Sequence, residues 1–383
     1  MRVLVIIGTR PEAIKLAPVI RALRRVTDYV TVCATGQHTD LLREAFRAVD
    51  ITADHEVTLD RTSSRPEITV ARLLESLPAV IERVSPDWLV VQGDTASAFA
   101  GALAGFHAGV PVVHVEAGLR SGDLQGPWPE EAYRSMIARI ARLHFAPTPA
   151  ARANLLAENI DEASIEMTGN TVVDALHYAL EKARSPAVVA QLEEILGDIP
   201  ADRPFVLATA HRRESIGEGL RNVAAALRAV ADDASATIVF SAHPNPAVAA
   251  AFRGLATEGG ALRVIPPQDY LAFLNLLDRA EIVVTDSGGI QEEASCLGKP
   301  VLVLREKTER PELIAAGNGV LVGTDRERIY TTLRGLIENQ SLRDQMRRAH
   351  NSFGDGKAAD RIAGRLLREW RLANPVAKVV AVP

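Results

Sequence analysis

Short, uninterrupted apolar runs recur along this chain. Each is followed by a polar turn and then by a stretch with helical spacing. The first run, Val3–Ile7, ends at Gly8, and a helix is expected over about Pro11–Val26. A strand that is apolar at every position needs cover on both faces, which a parallel sheet clothed in helices provides. Val30–Ala34, Trp88–Val91 and Val112–Val115 repeat the pattern, with helices expected over Thr39–Ala48, Pro66–Val84 and Thr95–His107. After a helical bridge around Thr171–Leu196 it starts again, with strands over Phe205–Ala208, Thr237–Phe240, Leu262–Ile265, Ile282–Val284 and Val301–Leu304. The 383 residues are too many for one ordinary core. The fold class is therefore α/β: two doubly wound, Rossmann-like domains facing a cleft, residues 1–170 and 171–356.

Composition narrows the function. Lys and Arg total 43 against 48 Asp and Glu, so no basic footprint points to nucleic acid or an anionic membrane. No apolar run reaches membrane-spanning length, and the opening MRVLVIIGTR is a strand and turn rather than a secretion signal. The two cysteines, Cys33 and Cys296, fall in different halves, which suits a reducing cytoplasm and no disulfide.

Ligands in doubly wound sheets bind beyond the carboxyl ends of the strands, so the loops there carry the chemistry. In GTRPEAIK, Arg10 and Lys15 lie near a helix N-terminus, where the macrodipole disfavours cations, and that mismatch points to a bound anion. In QGDTAS, Asp94 reads equally as a helix cap or as a functional acid. Glu116 leaves the strand Val112–Val115, and Glu130 and Glu131 open a helix after Pro129. Early-helix acids also satisfy the dipole, and Glu131 fits that reading well. Several acids beside Arg10 and Lys15 suit paired acid and base work. His211, Arg212 and Arg213 follow a buried strand together, and His243 is placed similarly in SAHPNP.

DSGGIQEEA, residues 286–294, offers Ser287, Gly288 and Gly289 at the start of a helix as a phosphate cradle. Glu293 shares a helix face with Gly289 and is placed to meet the sugar hydroxyls of a nucleotide. Arg310, in KTERPE, is a further candidate contact. No histidine or cysteine spacing fits a metal site. There is no Walker loop, no Gly-x-Gly-x-x-Gly after the first strand and no Gly-x-Ser-x-Gly elbow, so neither a metal nor a nicotinamide cofactor is expected.

Together these segments resemble the non-hydrolysing UDP-N-acetylglucosamine 2-epimerases. GTRPEAIK, QGDT, HVEAGLRSGD, PWPEE, GNTVVDAL, HRRES, HPNP, DSGGIQEEA, GKPVL and TERPE stand in family order over nearly the whole chain. The resemblance implies the two-domain architecture of the B-type glycosyltransferases, with the last helix, about Lys357–Leu372, crossing back onto the first domain. It implies inversion at C2 of UDP-N-acetylglucosamine (UDP-GlcNAc) to give UDP-N-acetylmannosamine (UDP-ManNAc). UDP is eliminated to leave a 2-acetamidoglucal, then added back as a proton reaches the opposite face of C2. On this resemblance Asp94, Glu116 and Glu130 are the acid and base candidates. Arg10, Lys15 and His211 hold or polarise the diphosphate and leaving oxygen, with His211 counted among the catalytic residues. Ser287, Gly288 and Gly289 cradle the phosphates, Glu293 binds the ribose and Arg310 lies near the substrate. The implied enzyme is a cytoplasmic homodimer without metal or redox cofactor.

One motif departs from the family. Many members carry a second, activating substrate site, here read around Gln37, His38 and His243. Thr39 and Asp40 replace its long polar pair, and the stretch Asp60–Glu67 is also atypical, so activation by substrate is not expected. A changed sugar is an alternative consequence. The rival within the fold is a glycosyltransferase using a UDP-sugar donor, which would keep DSGGIQEEA but have less use for Asp94, Glu116 and Glu130.

Overall fold

The computed structural model describes residues 1–375 except 37–38, 60–64, 198, 200–202, 213–214, 234–235, 244, 256–259 and 350–351. The chain divides into Met1–His177 with Phe353–Pro383, and Tyr178–Ser352. In the first unit the strands are β1 (Arg2–Ile7), β2 (Tyr29–Ala34), β3 (His55–Glu56), β4 (Trp88–Gln92), β5 (Val112–Val115), β6 (Leu143–Ala146) and β7 (Ile165–Met167). They form one sheet in the order β3-β2-β1-β4-β5-β6-β7, and every pairing is parallel. The second unit holds β8 (Phe205–Thr209), β9 (Thr237–Ser241), β10 (Leu262–Ile265), β11 (Ile282–Thr285), β12 (Val301–Val303) and β13 (Gly319–Leu321). Their order is β10-β9-β8-β11-β12-β13, again parallel throughout. Both sheets are thus doubly wound. Each reverses strand order at one point, between β1 and β4 and between β8 and β11. Those switch points are where the fold opens a crevice for ligand.

The central strands are buried as their composition requires. Val3 to Ile7, Leu89 to Val91 and Val206 to Ala208 are all 0% exposed. In the first unit Leu4, Ile6, Leu73, Leu77, Leu89 and Val91 share one core cluster. In the second, Val206, Leu227, Phe240, Val284 and Leu333 do so.

Two short strands, the internal β6 and the edge strand β7, escape sequence reading. β6 interrupts its apolar run with His144, and β7 leaves Met167 about half exposed, so neither shows a continuous apolar signature. The expected bridge over Thr171–Leu196 is two helices, Thr171–Ala183 and Pro186–Leu196. Pro186 forces the break: Ser185 before it is extended, with ψ 148, because a residue preceding proline is driven out of the helical region. The helix Ala358–Ala373 belongs to the first unit, where it packs on the helix Arg10–Arg24. Asp174 receives the backbone N–H groups of Ala358 and Ala359 at 3.3 and 3.0 Å and so caps that helix. Among the described residues, no helix is long and apolar enough to cross a membrane.

Candidate active site

The loops after β1, β4 and β5 build a carboxylate cluster in the first unit. Gly8 ends β1, and a Cβ there would lie 1.8 Å from Ser97 Oγ, so only glycine lets this turn reach the helix Ala96–His107. Thr9 and Glu12 form a capping box at the head of the helix Arg10–Arg24. The Glu12 carboxylate also spans the switch point. It accepts the N–H groups of Gly8 and Thr9 at 2.8 and 2.6 Å and the hydroxyls of Thr9 and Thr95 at 2.9 and 2.6 Å. Burial pushes the Glu12 carboxyl up to about 7, against the pull of these four donors.

Lys15, one turn further on, is buried, and its Nζ lies 2.6 Å from Glu116 Oε1. Gln92, at the end of β4, donates to Glu116 Oε2, and Asn170 Nδ2 donates to Oε1 at 3.1 Å. Glu116 itself sits at φ 62, a region that non-glycine residues rarely occupy and that clusters at functional sites. Asp94, following β4, pairs with the buried Arg134. Arg134 lies 3.3 Å from Glu131 on its own helix. Glu131 is 2% exposed and receives the N–H groups of Ser121 and Gly122. Glu131 therefore does more than complement the helix dipole: it anchors both the loop after β5 and the arginine that orients Asp94. Glu130 is half-buried at the first position of the same helix, as is Arg10 at the head of the helix Arg10–Arg24.

In the second unit, Thr209 and Thr285 close the ends of β8 and β11 with a 2.8 Å hydroxyl contact. Asp286 is fully buried at this switch point. It accepts the backbone N–H groups of His211 and Arg212, both at 2.8 Å, and lies 3.3 Å from His211 Nδ1. The loop after β8 is thereby fixed with the imidazole against a carboxylate. His243 stacks on His211, with ring centroids 5.1 Å apart. Burial first, then the neighbouring His211, pulls the His243 imidazole down.

The helix Gly288–Cys296 begins beside this group. Its N-cap Ser287 makes no side-chain cap hydrogen bond, and a Cβ at Gly289 would meet nothing within 4 Å. The first turn thus has no side-chain cap and open space beside Gly289, and the positive end of a helix with room at its first turn is an arrangement that can receive phosphate. Glu292 explains one of the two acids that follow. It is 1% exposed and its Oε1 lies 2.6 Å from Arg310 Nε. This pair lays the guanidinium over Gly288, where a Cβ would come within 3.4 Å of Arg310 Cζ. Glu293 is also buried. Glu309 bonds Arg305 at 2.6 Å. Burial raises its carboxyl, but that hydrogen bond and the charges of Arg305, Arg310 and Arg212 outweigh it and hold the group at about 2.

Gln37, His38 and Arg213 lie outside the described residues. Glu12, Gln92, Asn170, Arg134, Asp286 and Glu292 are among the residues of these clusters that carry no role in the sequence reading. The Thr9–Glu12 capping-box spacing was a visible signal for the first. Among the described residues, no group of three or more His, Cys, Asp or Glu side chains is arranged to hold a metal ion.

The model of the UDP-N-acetylglucosamine 2-epimerase family matches residues 21–367. The UDP-N-acetylglucosamine 2-epimerase of Salmonella typhimurium is 42% identical over 376 residues, 97% of this chain and 100% of that one. The chain belongs to the UDP-N-acetylglucosamine 2-epimerase family. Among solved 2-epimerases, the crystal structure from Neisseria meningitidis, bound to UDP-GlcNAc, superposes with a TM-score of 0.91 at 40% identity, over 96% of this chain and 100% of that one. The fold extends beyond the 2-epimerases. Spinosyn forosaminyltransferase SpnP shares it with a TM-score of 0.60 at 19% identity, over 97% of this chain and 99% of that one.

Proposed function

We propose that this chain is a non-hydrolysing UDP-GlcNAc 2-epimerase that interconverts UDP-GlcNAc and UDP-ManNAc. The observation that carries the reading is the full-length likeness to 2-epimerases, one of them solved with UDP-GlcNAc bound. The two built sites suit the chemistry. C2 of the sugar has no adjacent carbonyl, so direct deprotonation is unfavourable, and elimination of UDP supplies a path through a 2-acetamidoglucal. That path needs stabilisation of a leaving diphosphate and proton transfer on the sugar. Ser287, Gly288, Gly289 and Arg310 take the diphosphate and Glu293 the ribose. Arg10, Lys15 and His211 polarise the leaving group, with Asp286 orienting the imidazole. Asp94, Glu116 and Glu130 share the acid and base steps.

Cys33 and Cys296, which are not joined in a disulfide, support a cytoplasmic setting, and a homodimer is the expectation from the family. The test is product analysis of a UDP-GlcNAc incubation by ³¹P and ¹H NMR. The expected product is UDP-ManNAc in equilibrium with the starting material. Stoichiometric UDP and free N-acetylmannosamine would make the chain a hydrolysing epimerase instead. Turnover only with an added sugar acceptor would make it a transferase.

A further inference from the structure

Asn170 lies where β7 leads into the helix Thr171–Ala183, and it is 3% exposed. Each of its polar groups has a defined partner. Its backbone N–H donates to Phe353 O at 2.7 Å. Its Oδ1 accepts the Val172 N–H at 3.0 Å, and its Nδ2 donates to Glu116 Oε1 at 3.1 Å. The amide has one orientation. Flipping it would set an NH₂ against the Val172 N–H and a carbonyl against the carboxylate, losing both bonds.

The Glu116 carboxylate therefore faces donors from three separate elements. Lys15 comes from the helix Arg10–Arg24, Gln92 from β4 and Asn170 from beyond β7. The next charged and titratable groups are engaged elsewhere. Asp94 is paired with Arg134, and Glu12 holds the Gly8 and Thr9 amides. His114 Nε2 is 2.8 Å from Gly93 O. A carboxylate offers about four lone-pair positions, so three donors leave about one for a substrate proton.

We infer that Asn170 is a positioning residue for the reaction: its amide, oriented by the Val172 N–H, holds Glu116 in its left-handed backbone setting as a hydrogen-bond acceptor aimed at the substrate. This rests on the reading of Glu116 as an acid/base group in a 2-epimerase. Asn170 gains its effect through Glu116 and touches no reacting atom.

The test is Asn170→Asp. The substitution keeps an oxygen for the Val172 N–H and nearly the same volume, but it sets a second carboxyl about 3 Å from Glu116 Oε1. Two such groups share a proton. The acidic limb of kcat/KM against pH should move up by about one unit or more, with kcat falling and KM for UDP-GlcNAc changing by less than about threefold. A second readout does not depend on activity. At pH 8, Asn170→Asp should lower the urea midpoint of the first unit, and adding Glu116→Gln should restore part of the loss, because an amide can donate to the new carboxylate. Additive midpoint changes and a pH profile that superposes on the wild type would overturn the inference. A wild-type chain that epimerises no UDP-sugar would instead remove the functional reading, and the midpoint cycle would still decide whether Asn170 and Glu116 act as a coupled pair.

Discussion

Glu12→Gln separates the electrostatic account of the first unit from simple packing. The Glu12 carboxyl is raised by burial from 4.5 to about 7. The folded state therefore holds its proton more tightly than the unfolded chain does. The stability this gives is fully present below the unfolded value of 4.5 and is lost as pH rises through about 7. Two and a half pH units correspond to about 3 kcal/mol. Glutamine resembles the protonated form. Its carbonyl can accept from Gly8 and Thr9, and its NH₂ can face the Thr95 hydroxyl. The variant does not titrate, so its stability relative to wild type should rise by about 3 kcal/mol between pH 4.5 and pH 8. Buried histidines that titrate in both proteins cancel in this difference. Urea unfolding followed by tryptophan fluorescence is a suitable assay, because Trp88, Trp128 and Trp370 all lie in the first unit. A difference between variant and wild type that stays constant with pH would refute the reasoning.

Asp94→Asn, Glu116→Gln and Glu130→Gln should each reduce kcat by roughly 10²–10⁴-fold while leaving UDP affinity within a few-fold, measured by NMR turnover and calorimetry. Glu293→Gln should show the opposite split, weakening UDP binding while the titration of turnover with pH is unchanged. His114 is held down at about 3, chiefly by burial. Its folded value lies below the unfolded one, so the first unit should lose stability as pH falls from about 6.5 toward 3, and His114→Gln should flatten that loss in the same fluorescence assay.

Sequence reading reached the architecture because buried parallel strands must be apolar at every position. Val3–Ile7 and Phe205–Ala208 could hardly be anything else. It missed β3, β7 and β13 because these short edge strands bury at most one residue each, and it missed β6, an internal and fully buried strand, because His144 interrupts its four-residue apolar run. The acids Asp94 and Glu116 stand out as candidates because Glu116 directly follows an apolar run and Asp94 comes three residues after one. What holds them is contributed from far along the chain. Lys15 meets Glu116 across 101 residues and Asn170 meets it across 54. Such partners have no local signature, since spacing reports only on neighbours within one helix or strand. The two acids of DSGGIQEEA show the same limit: Glu292 turns out to be the counter-ion of Arg310, which lies 18 residues further on.

The most direct measurement is hydrogen exchange at C2. Incubated in D₂O with UDP-GlcNAc and no acceptor, the protein should place deuterium at C2 of UDP-ManNAc and, with time, of the remaining UDP-GlcNAc, as C2 signals vanish from the ¹H spectrum. Epimerised product that keeps its original C2 proton, or UDP-GlcNAc that remains unlabelled and unconverted, would contradict the account.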